Sequence, residues 1–187
     1  LIPSQFTGFF AGEPFGLRAA VLPIFTSMFL HGGWMHLIGN MWFLWLYGDN
    51  VEDRTGHLRF LLLYLAGGVM GGLAQVYASP ESSVPTLGAS GAIAAVMGAY
   101  LITFPRARIY TLVPIIIYLA RFELPAYFIL LYWIFLQTLN GVASLGVADS
   151  SLSGGVAFMA HVGGFVAGVP LMLLLRDGRS PRRRRAA

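Results

Sequence analysis

Four residues of this sequence stand where hydrocarbon is expected and could do chemistry there: His36, Asn40, Ser90 and His161. A polar group inside an apolar span is costly unless it is paired or faces a cavity, so each is a candidate functional residue. His36 and Asn40 are four apart and share one helix face. Ser90 sits in Gly88-Ala89-Ser90-Gly91-Ala92, at a junction between loop and helix. The first N–H groups of a helix lack intrahelical acceptors, so the backbone around Gly88, Ala89 and Ser90 can donate to an oxyanion. Ser90 and His161 then form a nucleophile and general base. No acid is placed to orient the histidine, so the expected unit is a dyad.

Other chemistries fall away by residue type. No H-E-x-x-H helix is present for a metalloprotease. An aspartyl protease of the membrane needs two aspartates within spans, and every Asp here reads as loop or tail. The serine peptide is not a G-x-S-x-G elbow, because its fifth position is Ala92. Cysteine is absent, which removes thiol nucleophiles, disulfides and cysteine-ligated metals. Singly, each candidate has a plainer reading. A serine in a membrane helix commonly bonds its own i−4 carbonyl, and a lone histidine is commonly a satisfied buried group or a ligand. His31 reads as a helix-start or interfacial residue, and His57 as a solvated loop residue.

The elements that must position these groups are apolar spans. Of the 187 residues 57% are hydrophobic and 11% charged, with a mean hydropathy of +0.71. A soluble domain of this size needs more charge on its surface, so a membrane protein is expected. Five stretches are predicted to cross the bilayer, roughly Trp34 to Tyr47, Phe60 to Tyr77, Ser90 to Phe104, Leu124 to Val142 and Val156 to Leu175. The first and third fall short of the ~20 residues a spanning helix needs; Asp49 is expected to end one and Pro105 the other. The stretch Ile109 to Ala120 carries Pro114 and is closed by Arg121 and Glu123, so it reads as an interfacial or partly buried connection. Residues 1–30 read as a long outer loop, 31–175 as the helical core and 176–187 as a basic tail, all within one domain. No cleavable leader is expected, and because the chain opens at Leu1 in what reads as a loop, further sequence is expected upstream.

Charge sets the orientation. All the basic residues are arginine, and many lie in the tail at Arg176, Arg179 and Arg182 to Arg185. With five crossings, Arg54, Arg59, Arg106, Arg108 and the tail share one side, which the excess of positive charge marks as cytoplasmic. A tail of this kind suits anionic lipid headgroups and not nucleic acid, despite a pI near 9.8. The first, third and fifth spans then all run inward from the outer face. His36, Asn40, Ser90 and His161 fall in the opening turns of those three helices, at one depth. A short helix beginning below the surface leaves a water-accessible depression above it, which hydrolysis within a membrane requires. The spacing of Gly67 with Gly71, Gly68 with Gly72, and Gly164 with Gly168 allows close helix contacts.

With these residues in place, the sequence resembles the rhomboid family, of bacterial type, over nearly its whole length. FLHGGWMHLIGNMWFLWLYGDNVEDRTG, from Phe29 to Gly56, resembles that family's second helix and following loop. It carries H-x-x-x-N at His36 and Asn40 and E-x-R-x-G at Glu52, Arg54 and Gly56. GASGA around Ser90 resembles the family's G-x-S-G, and AHVGGFVAG from Ala160 to Gly168 its last catalytic helix. The resemblance implies an all-α membrane bundle with five visible helices of a six-helix core, the first lying outside this chain. It implies an intramembrane serine endopeptidase in which Ser90 attacks, His161 is the base, and His36, Asn40 and backbone N–H groups hold the oxyanion. Gly91, Gly164 and Gly168 would pack the histidine helix on the serine helix. Substrates would be membrane proteins with a readily unwound helix, and no cofactor or metal is implied. The arginine-only basic set and the compact core suggest a bacterial cytoplasmic membrane, with an organelle membrane as the alternative; the tail is expected inside and the site near the outer leaflet. The fourth visible span and the Ile109 to Arg121 connection resemble a mobile substrate-entry region.

Two departures bear on mechanism. The Trp-Arg pair of many members' outer loop is not evident in residues 1–30. Where some members carry an aromatic one turn after the serine, beneath the histidine ring, this chain has Ala94. Orientation of His161 is therefore expected from elsewhere, such as packing on Gly91 and Ala94. Two rival readings remain at this stage. One is a catalytically inactive rhomboid-like protein that binds clients; the other is a membrane haem protein or transporter using His36 and His161.

Overall fold

The computed structural model describes residues 1–115, 118–145 and 156–176. Among these, helices dominate. Three short helices, α1 (Pro3–Phe10), α2 (Leu17–Ala20) and α3 (Pro23–Thr26), lead through a 3-10 turn (Ser27–Phe29) into five longer ones. These are α4 (Trp34–Thr55), α5 (His57–Ala78), α6 (Ser90–Thr103), α7 (Ala126–Leu145) and α8 (Phe158–Leu175). The five expected spans are thus five helices. α5, α7 and α8 are each long and apolar enough to cross a bilayer, and α4 qualifies jointly with the 17–29 segment, to which it is bent by 73°.

The short helix is the central one. α6 has 14 residues, about 21 Å at 1.5 Å per residue, against a hydrocarbon core of about 30 Å. Every residue from Gly91 to Tyr100 is buried. A helix apolar on all sides is stable only when surrounded, and α6 is packed by α4, α5, α7 and α8. The outer helices turn large apolar side chains outward, among them Trp42, Trp45, Leu58, Phe128, Phe135 and Leu174. Exposed apolar surface on helices of this length is what lipid-facing spans present.

Glycine sets how closely the helices approach. A Cβ at Gly164 would meet the Gly91 carbonyl, one at Gly168 the Ala95 carbonyl, and one at Gly67 the Ala95 methyl. α8 therefore lies backbone to backbone on α6, which favours dispersion contacts that lipid cannot match. Gly71 faces both neighbours, with Ala160 O and Gly91 Cα beside it.

Several sequence expectations change. Asp49 does not end the first long helix. α4 continues through Asp49, Glu52, Asp53 and Arg54 to Thr55, because aspartate within a helix costs only a few tenths of a kcal/mol. Gly56, at φ 81°, stops it. Asp49 and Asp53 are thus helical, not loop residues, and so are two members of the E-x-R-x-G signature. His57 opens α5, fully outward, with Nδ1 2.6 Å from Glu52 Oε1. Residues 1–30 form an ordered layer on α5, where Leu1, Ile24 and Val76 make a small core.

The connection after α6 is an antiparallel hairpin, β1 (Arg108–Ile115) with β2 (Tyr118–Pro125), the one non-helical element among the described residues. Its β-branched and aromatic residues suit a strand, which gives the expected connection its form. Pro114 is tolerated because a two-stranded ribbon has only edges. Arg108 pairs with Glu123 at 3.5 Å, Arg121 lies 4.0 Å over the Tyr110 ring, and Ile109 anchors the ribbon in the core. The arginines at 179 and 182–185 lie outside the described residues.

Candidate active site

Ser90 is the first residue of α6, with Ala89 as its N-cap at φ −73°. His161 lies in the first turn of α8, whose N-cap is Ala157. The close α6–α8 contact brings these helix starts together, and His161 Nε2 stands 2.8 Å from Ser90 Oγ. This is hydrogen-bond distance in the arrangement a serine and its base require. Both residues are part-buried. They open into a cavity of about 520 Å³ also lined by His36, Asn40, Trp133 and Phe43. The four polar residues of three separate helices therefore share one cavity, at the end of the bundle where α4, α6 and α8 begin.

Gly88 shapes the approach to Ser90. Its φ of +118° is one that residues with a Cβ rarely adopt. A Cβ there would also lie 2.7 Å from both Cε1 and Nε2 of His36. Its N–H donates to Ser27 O at 2.9 Å. Gly88 thus does not offer the oxyanion-hole donor that the sequence placed there; it brings the loop against the His36 ring. The N–H groups of Ala89 and Ser90 remain the backbone donors at this helix start.

Asn40 is buried, and its Nδ2 donates to the carbonyl of His36 at 3.0 Å. A primary amide has a second N–H, which stays available to the cavity. His31 precedes α4, as expected of a helix-start residue, with its ring 5.1 Å from that of His36 in an edge-on arrangement. Gly164 and Gly168 of α8 lie against the backbone of α6, and Gly91 of α6 lies beside Ala160 of α8.

Two residues of the site escaped the sequence reading, and both come from α7. Gln137 Oε1 is 2.7 Å from His161 Nδ1. The Trp133 ring lies 5.7 Å from that of His161, inclined by 33°. The histidine is therefore held by an amide and an indole from α7, two partners beyond the packing on Gly91 and Ala94 that the sequence suggested. Gly91 faces Ala160 and Gly71. The signal was present: Gln137 is a polar residue within an apolar span, one turn after a tryptophan.

A bundle of apolar helices around a short buried one, with a mostly apolar cavity holding four polar residues at the helix starts, defines an integral membrane protein. Residues 18–178 match the Rhomboid domain, and the chain belongs to that family. It is 32% identical over 121 residues to the presenilin-associated rhomboid-like protein A, mitochondrial, of Danio rerio, covering 63% of this chain and 31% of that protein. It is 45% identical over 78 residues to the rhomboid protease GluP of Bacillus subtilis, covering 42% of this chain and 15% of the relative. It is also 34% identical over 148 residues to rhomboid-like protease 5 of Toxoplasma gondii, covering 76% and 15%. The chain thus spans less than a third of the length of each of these relatives.

Proposed function

We propose that this chain is an intramembrane serine endopeptidase in which Ser90 and His161 form the catalytic dyad. The observation that carries the reading is the 2.8 Å approach of His161 Nε2 to Ser90 Oγ at the floor of the shared cavity. Family membership and the names of two relatives as proteases support it.

Ser90 Oγ attacks the scissile carbonyl while its proton passes to His161 Nε2. The carbonyl oxygen becomes an oxyanion, held by the second N–H of Asn40, the His36 ring and backbone N–H groups of Ala89 and Ser90. The C–N bond then breaks, and the leaving amine takes the proton from His161, which leaves an acyl ester on Ser90. Water attacks the ester, gives its proton to His161, and Ser90 Oγ departs and regains that proton. The substrates are membrane proteins with a segment that unwinds at cavity depth, because a backbone bonded within a helix cannot reach the serine. The setting is a bacterial cytoplasmic membrane, with the α4, α6 and α8 starts near the outer leaflet and the C-terminus inside.

The geometry also weighs against a haem or metal role for His161, since both its ring nitrogens face partners, Ser90 and Gln137. The test is cleavage of a single-span reporter by the purified full-length protein in liposomes. Wild type is expected to cleave, with Ser90→Ala and His161→Ala inactive but folded. A folded wild type that cleaves none of several reporters would favour the client-binding reading, and cleavage by Ser90→Ala would overturn the mechanism.

A further inference from the structure

We propose that Gln137 is a positioning residue for the base: its side-chain oxygen fixes the tautomer and orientation of His161. The proposal rests on the Ser90–His161 reading and adds to it a third member, carried by a different helix.

A neutral imidazole carries one N–H and one lone pair, and the partner of one nitrogen decides which is which. To accept the Ser90 proton, His161 must keep the lone pair on Nε2, so Nδ1 must bear the hydrogen. An acceptor at Nδ1 enforces that state. Gln137 Oε1 is there, at 2.7 Å, while Nε2 faces Ser90 Oγ at 2.8 Å. The line Gln137–His161–Ser90 has the layout in which a third group orients the base, with a neutral amide in place of a carboxylate.

Two other polar side chains of α7 behave differently. Thr138 Oγ1 donates to Ile134 O at 2.9 Å and Asn140 Nδ2 to Leu136 O at 2.9 Å, each within its own helix. Gln137 instead reaches across to α8. A glutamine in an apolar span needs a partner, and here the partner is the base itself. One turn before it, Trp133 lies along the same imidazole. Two groups four residues apart thus bracket one ring, one by hydrogen bond and one by contact. Few residues of α7 are buried, namely Ala126, Leu130 and Gly141. Displacing α7 from α8 would therefore withdraw both supports of the base at once.

The test reads Ser90 reactivity without requiring a protein substrate to enter. A fluorophosphonate probe reacts with an activated serine: the Oγ–P bond forms, fluoride leaves, and the hydroxyl proton passes to His161. Labelling rates would be compared on the full-length protein in liposomes for wild type, Gln137→Leu, Gln137→Met, Gln137→Glu and Thr138→Val. Unfolding midpoints would be recorded for each. Leu and Met fill the space without the oxygen and are expected to slow labelling by about tenfold to a hundredfold, by analogy with the loss of partners that orient metal-bound histidines. Glu keeps an oxygen at that position and is expected to restore most of the rate, while Thr138→Val labels as wild type does. With a cleavable reporter, the loss in Leu and Met should fall on kcat and not on KM.

Labelling of Leu and Met at the wild-type rate would overturn the proposal. So would an equal loss in Glu, Leu and Met, which would make the role one of packing. A wild type that takes no label while folded would instead overturn the hydrolase reading beneath it.

Discussion

Gly164 of α8 lies directly against the backbone carbonyl of Gly91 in α6. Gly91 follows Ser90, the proposed nucleophile, and Gly164 is three residues beyond His161, the proposed base, so this contact sets how near the two can come. Helix packing and the Ser90–His161 distance are here one variable. The 2.8 Å Oγ–Nε2 separation exists because neither residue has a side chain at the crossing.

Gly164→Val therefore forces α6 and α8 apart. We expect a stability loss of about 1–3 kcal/mol from overpacking, and a loss of peptidase activity of about a hundredfold or more, since displacement by 1 Å can cost that much. Gly168→Val, which meets the Ala95 carbonyl one turn further on, should lose comparable stability with a smaller loss of activity. Unfolding midpoints in detergent and reporter cleavage separate the two effects.

Gly88→Ala tests the loop before the serine. The substitution strains a φ of +118° and pushes a methyl into the His36 ring. Its expected cost is about 1–3 kcal/mol, the range for a residue held in a sparsely populated backbone region. Activity should fall further than stability implies, because His36 moves with the loop. Comparing cleavage with the unfolding midpoint checks this.

Replacing His36 or Asn40 by Ala removes a proposed oxyanion donor without touching the dyad. Each variant should fold, retain KM and lose kcat by about 10²- to 10³-fold, as expected for one donor of an oxyanion hole. A loss confined to KM would place these residues in substrate binding instead.

Trp133→Ala removes the indole beside His161. Aromatic contacts of this kind contribute about 0.5–1.5 kcal/mol, so we expect a fall in kcat of about tenfold or less. Trp133→Phe should recover most of it. Steady-state cleavage of the reporter is sufficient to see the difference.

The parts of this site that were legible in the sequence share a physical cause. His36, Asn40, Ser90 and His161 are polar where hydrocarbon is expected, and the direction of each span gave them a common depth. The glycines of α6 and α8 were legible because close packing leaves small residues at fixed spacing. Gln137 and Trp133 were overlooked because α7 was read as an apolar span, although a glutamine there has more polar groups to satisfy than a serine. The amide of Gly88 was misassigned because Ser27, its acceptor, is sixty-one residues away and no local pattern connects them. The end of α4 was misplaced because aspartate is a weak terminator and Gly56 a strong one.

Identification of the serine that forms the covalent adduct tests the central claim most directly. The full-length protein in liposomes would be treated with a fluorophosphonate, digested and mapped by mass spectrometry. The account predicts a single adduct on Ser90, absent from His161→Ala and from protein unfolded before treatment. An adduct on another serine, or labelling of Ser90 that persists undiminished in His161→Ala, would contradict it.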